Sequence, residues 1–161
     1  MIGMLLLTLA VVAQEPTGDH VRSANPRIRA VVSAGLSRSQ TFRELVAALD
    51  ASDVIVYVEP KMSRNTLGGY LSHGVVATGR FRYLRISIDI SGGPARVLSL
   101  LAHELQHALE VANAPDVRDA DGLERLFSRT GVAFGCGGSD CYETRAARDI
   151  EVRVRDEWAA R

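Results

Sequence analysis

The chain predicts an α+β domain in which a small sheet packs on two long helices, and three patterns predict it. Apolar residues alternate with polar ones from Phe81 to Ile90, the period of a strand. They recur at helical spacing from Val97 to Ala112, and again after Tyr142. The expected sheet is antiparallel or mixed, with about three to four strands.

Residues 1–13 read as a signal peptide. Ile2 to Ala13 is a short apolar run whose end, Val11-Val12-Ala13, suits cleavage after Ala13. No Lys or Arg precedes the run, and the competing reading is a buried N-terminal strand. The run is too short to anchor the chain in a bilayer, so no membrane span is expected in the mature protein. Residues 14–24 read as a polar linker, and residues 25–161 as a single domain, enough for one hydrophobic core. The expected location is outside the cytoplasm, periplasmic or secreted. The 19 basic and 19 acidic residues balance. No basic field is left to recruit nucleic acid or an anionic membrane.

Within the domain, Asn25-Pro26 starts a short helix through Ser33. Thr41 with Glu44 forms a capping box for a helix to about Ala51, with Phe42, Leu45, Val46 and Leu49 apolar. Val54 to Glu59 is β-branched and reads as a strand. Tyr70 to Thr78 and Phe81 to Ile90 read as two more, joined by Gly79-Arg80 as a hairpin. In the second, Leu84, Ile86, Ile88 and Ile90 form the dry face, and Tyr83, Arg85, Ser87 and Asp89 the wet one. Gly92-Gly93-Pro94 opens the long helix and Asn113 with Pro115 closes it. Leu123, Leu126 and Phe127 mark a following helix, residues 131–140 a loop, and residues 142–161 the C-terminal helix.

The long helix carries His103-Glu104-Leu105-Gln106-His107. Residues four apart stand on one face of a helix, so the two imidazoles can bind one metal ion, with Glu104 beside it to take a proton from water. At about 100° per residue the histidines fall opposite the apolar stripe of Val97, Leu101, Leu105, Ala108 and Ala112. A polar pair there is costly to bury without a purpose. A catalytic zinc site has three protein ligands, and the candidate third is Glu143, at the head of the apolar stripe Ala147, Ile150 and Val154. The competing reading makes Glu143 a helix-capping acid paired with Asp140. Glu110 is a rival, but three ligands on one straight helix spread over about 10 Å, which favours an outer or solvated place for it. His73, alone in a strand or loop, is a weaker rival.

From Val54 to Trp158 the chain resembles the gluzincin clan of zinc metallopeptidases. The resemblance rests on His103-Glu104-Leu105-Gln106-His107, followed on a later helix by Tyr142-Glu143-Thr144-Arg145-Ala146-Ala147. Its short core is similar to the minimal, minigluzincin type. The resemblance implies a zincin-like domain with Zn2+ on His103, His107 and Glu143, and Glu104 as general base. It also implies a strand before the catalytic helix whose edge takes an extended peptide. Many gluzincins place an Asp four residues after the Glu ligand to orient a histidine. Here that position is Ala147, so an orienting partner comes from elsewhere or is absent.

Cys136 and Cys141 flank a Gly-Gly-Ser-Asp run. In an exported protein they are expected to pair as a disulfide before Glu143; a zinc pair is the alternative, but lacks two further ligands nearby. Hydrolysis also needs an oxyanion donor, for which Tyr142 is the candidate, with Tyr83, Tyr70 and His73 behind it. The expected function is an exported zinc peptidase acting on peptide or protein substrates. The alternative is a non-catalytic zinc-binding or peptide-binding module on a peptidase fold, which the missing Asp favours.

Overall fold

The computed structural model describes residues 19–61, 68–135 and 140–160. The signal-peptide reading of residues 1–13 lies outside them. The elements run β1 (Val21–Arg22), α1 (Pro26–Arg38), α2 (Gln40–Asp50), β2 (Val54–Pro60), β3 (Gly69–Leu71), β4 (Val76–Thr78) and β5 (Phe81–Ile88). There follow α3 (Pro94–Ala112), α4 (Ala120–Thr130), β6 (Val132–Gly135), β7 (Asp140–Glu143) and α5 (Arg145–Ala159). This is a small α+β domain, as the periodicities predict.

The main sheet has the order β1-β2-β5-β3, with β4 pairing farther along the same edge of β5. The β1–β2 and β2–β5 pairs are parallel, whereas β3 and β4 run antiparallel to β5. The sheet is therefore mixed. The reason is topological: α1 and α2 carry the chain back between β1 and β2, which a parallel pair requires. The expected strand over residues 70–78 is two short ones, broken at His73. The Gly79-Arg80 turn forms where expected, with Gly79 at φ 57°, a conformation that costs glycine nothing.

Helix starts differ from the sequence reading in ways that local hydrogen bonds explain. Asn25 caps α1 as anticipated, its side chain accepting from the Arg27 and Ile28 amides. The cap of α2 is Ser39, not Thr41: Ser39 Oγ accepts from the Phe42 amide at 2.9 Å, while the Thr41 hydroxyl donates to Glu157 on α5. Residues 131–140 are not wholly loop, because β6 pairs with β7 as an antiparallel hairpin. The C-terminal helix begins at Arg145, three residues later than expected, because Thr144 caps it through the Ala147 amide.

Helix α3 lies between two layers. On one side Leu98, Leu101 and Leu105, with Val97 and Ala108, join the core formed with Leu84, Ile86 and Ile88 of β5 and Val54, Val56 and Val58 of β2. On another side it packs along α5, and it meets α1 and α2 as well. Each fully buried leucine contributes about 1.5–3 kcal/mol.

One inward position of β5 breaks the apolar pattern. Arg82 alternates into the same layer as Leu84 and is fully buried. Its guanidinium pairs with Asp53 at 2.6 and 2.8 Å. It also donates to the carbonyls of Val111 (2.8 Å), Ala112 (3.1 Å), Ala114 (2.7 Å) and Val117 (3.1 Å). The last carbonyls of a helix have no partner within it, so Arg82 acts as the C-terminal cap of α3 from the neighbouring sheet.

Two outcomes follow for stability. Arg82→Met is expected to cost about 3–5 kcal/mol in urea unfolding, because a buried ion pair and several carbonyl contacts vanish together. The hydrogen bond from Arg82 holds the Asp53 carboxyl below its ordinary value of 3.8. A depressed acid stabilises the native state above its unfolded pKa and loses that contribution as pH falls through the native one. Stability should thus decline below about pH 4, and Asp53→Asn should flatten that part of the curve; an unchanged acid limb would refute the assignment.

Candidate metal centre

His103 and His107 of α3 face the end of β7 and the first turns of α5. Glu143, the last residue of β7, points back at them: its Oε1 lies 3.4 Å from His103 Nε2 and 3.9 Å from His107 Nε2. One ligand atom from each of His103, His107 and Glu143 lies within 4.8 Å of the other two. The two rings stand 5.1 Å apart and nearly perpendicular.

Both rings are held from behind. His103 Nδ1 lies 3.1 Å from Glu151 Oε2, and His107 Nδ1 lies 3.0 Å from Glu110 Oε2. A carboxylate on Nδ1 favours the proton there and leaves Nε2 with a lone pair, the arrangement of metal-ligating histidines. Phe127 of α4 abuts His107 edge to face at 5.3 Å. Glu110 is fixed in turn, its Oε1 accepting from the Thr144 hydroxyl at 2.7 Å. Thr144 also accepts from the Ala147 amide, so one hydroxyl both starts α5 and braces the carboxylate behind His107.

The donor set suits a divalent cation. Glu143 Oε1 is buried and makes no hydrogen bond, although an unpaired buried polar oxygen is costly. Two imidazole nitrogens and one carboxylate oxygen form the ligand set of catalytic zinc sites. The same donors accept other divalent ions, so the set alone does not choose among them.

Burial dominates the electrostatics. Burial pushes His103 below its ordinary value, which favours the neutral ring; the Glu143 charge opposes it in part. For His107 burial is again the largest influence and acts downward. The Glu110 hydrogen bond and the charges of Glu104, Glu110 and Glu143 together outweigh it, and the pKa lies above the ordinary value. Glu104 is pushed up to about 7 by burial, against the His107 charge and a hydrogen bond from the Leu71 amide. A carboxyl titrating there can both accept and return a proton near neutral pH.

Strand β3 roofs this carboxyl. Gly68 accepts from the Asp89 amide and Ser72 donates to the Arg85 carbonyl, and pairing in register turns the backbone groups of Tyr70 to β5 as well. The backbone groups of Gly69 and Leu71 therefore face the outer edge of the sheet, which pairs with no further strand among the described residues, on the side of Glu104. A Cβ at position 69 would stand 3.1 Å from Glu104 Oε1 and 3.2 Å from the Ser87 carbonyl, a tight fit that glycine relieves.

The three expected ligands thus come together. Glu143 does so from a strand end, not from a helix, and the Asp140–Glu143 capping reading does not apply because Thr144 is the cap. Glu110 stands behind a ligand, as its position on α3 suggested. Glu151 was missed. Its signal was present, since it lies one helical turn beyond Ala147, where the expected orienting Asp is absent.

Tyr142 belongs to β7. Neighbours on a strand project to opposite faces, so its ring leaves on the side away from Glu143 and packs against the core. Tyr70 and Tyr83 lie on the sheet face turned away from α3, Tyr83 stacking on Tyr57, and His73 is exposed. The Cys136–Cys141 pairing lies outside the described residues.

No protein-family model, curated protein or solved structure matches the chain. Among the described residues, no helix is long and apolar enough to cross a membrane.

Glu151→Ala and Glu110→Ala should each weaken zinc binding about 10–100-fold, measured by competition with a chromophoric chelator. Wild-type affinity in both variants would show that neither carboxylate orients its ring.

Proposed function

We propose that the chain is an exported, zinc-dependent peptidase of the gluzincin type, with a compact, minigluzincin-like core. The observation that carries the reading is the convergence of His103, His107 and the unpartnered Glu143 Oε1, beside a buried Glu104. His103, His107 and Glu143 hold Zn2+, which when bound supplies a Lewis acid and activates water.

Glu104 takes the proton of the attacking water and returns it to the leaving amine. General catalysis of this kind is worth about 10²–10⁴-fold. The Leu71 amide and the roof formed by Gly69 keep the carboxylate in place. The free edge of β3 offers backbone groups to an extended peptide, which makes peptides and proteins the substrate class. The spacing of Tyr142 from Glu143 speaks against its hydroxyl as oxyanion donor, and the Gly69 amide, beside Glu104, is a nearer candidate.

The competing reading is a zinc-binding or peptide-binding module without turnover. Its support was Ala147, in place of an orienting Asp. Glu151 reaches His103 from the next turn of the same helix and supplies an equivalent carboxylate, which favours an active site over an inert one.

The deciding experiment measures zinc content and peptide-library cleavage, with and without chelator, for the wild type and Glu104→Gln. The wild type should carry one zinc and cleave in a chelator-sensitive way. Glu104→Gln should keep the metal and lose at least about 100-fold in turnover. Stoichiometric zinc without any cleavage would move the assignment to the binding module, and absence of zinc would end both.

A further inference from the structure

The two oxygens of Glu143 have different surroundings. Oε1 is buried, makes no hydrogen bond and faces the Nε2 atoms of both histidines. Oε2 faces Arg148, whose Nε lies 3.8 Å away. Arg148 stands in the first turn of α5, five residues beyond Glu143, and its own amide bonds to the Thr144 carbonyl. Its neighbour Arg145 turns to Asp149 on the same helix, 3.6 Å away. Arg148 has Thr144 and Val152 at four residues on either side and Arg145 at three; Glu151, the acid at three, is engaged with His103. The sequence thus leaves Arg148 no free acid on its own helix, and it reaches across to Glu143.

A carboxylate can give a metal one oxygen or both. Which it does depends on whether the second oxygen is engaged elsewhere, and a guanidinium is well shaped to engage it. A one-oxygen Glu143 with two imidazoles fills three positions and leaves a fourth open; a two-oxygen Glu143 crowds that position. We propose that Arg148 is a positioning residue that engages Glu143 Oε2, so that Glu143 offers a bound cation Oε1 alone and the open position is preserved. The inference rests on the metal-centre reading and not on peptide hydrolysis.

The test substitutes Co2+, whose visible absorption distinguishes four-coordinate from five-coordinate sites, into the full-length protein. The wild type should show the intense band of a four-coordinate ion. In Arg148→Ala the band should weaken several-fold and shift toward the five-coordinate pattern, and cobalt affinity should fall about tenfold. Arg148→Lys, which keeps a cation within reach of Oε2, should recover most of both. Because Arg148 is largely exposed, the metal-free urea midpoint should match the wild type; if Arg148→Ala lowers it, the spectrum of Arg148→Lys decides. A wild-type spectrum and affinity in Arg148→Ala overturn the proposal while leaving the metal centre standing. A wild-type protein that takes up no cobalt overturns both. Hydrolysis enters neither readout, so a protein that binds cobalt but cleaves nothing would still test Arg148.

Discussion

Helix α3 is enclosed on nearly every side, yet it carries two imidazoles and a carboxyl at its centre. Burying ionisable groups is expensive unless each finds a partner, and the surroundings of α3 meet that demand one group at a time. Glu151 and Glu110 take the Nδ1 atoms, Thr144 takes Glu110, and the Leu71 amide takes Glu104. What stays unmatched is Glu143 Oε1 between the two Nε2 atoms. A cation there would satisfy that oxygen and both Nε2 atoms together, and the packing of α5 on α3 is what brings them within reach.

The other end of α3 meets the same difficulty by different means. Its final carbonyls turn toward Arg82 of β5. Arg82 answers them with a charge that Asp53 compensates. A leucine at that strand position would fit the alternation but leave the carbonyls unanswered. The helix is therefore held at its C-terminal end by an arginine and at its middle by carboxylates.

Much of this was legible in the residues, because it depends on local periodicity. The alternation of Leu84, Ile86 and Ile88 names the buried face of β5, and the spacing of His103 and His107 places both rings on one side of α3. What was hidden depends on long-range pairing. The alternation puts Arg82 on the dry face of β5 and Arg85 on the wet one, but nothing near Arg82 names its partners, which lie some thirty residues away in both directions. The start of α5 was misplaced because Glu143 and Ala147 share a helical interval, and a strand ending one residue before a cap leaves the same pattern. The orienting role of Glu151 was obscured by its surroundings: among Arg148, Asp149, Arg153 and Arg155 it reads as one more solvated charge, and only the docking of α5 on α3 singles it out.

The junction of β7 and α5 has a bearing on how this chain tolerates change. Glu143 ends the strand and Thr144 caps the helix, so adjacent residues serve opposite sides of the centre: one meets the rings in front, the other braces the carboxylate behind His107. Strand geometry reverses side-chain direction at every residue. Adding or deleting a single residue at this junction would therefore present Tyr142 or a displaced Thr144 where the acid belongs, with no slack to absorb the slip. Length variation can be accommodated in the connections farther out, but the boundary between these two residues is a fixed point of the chain.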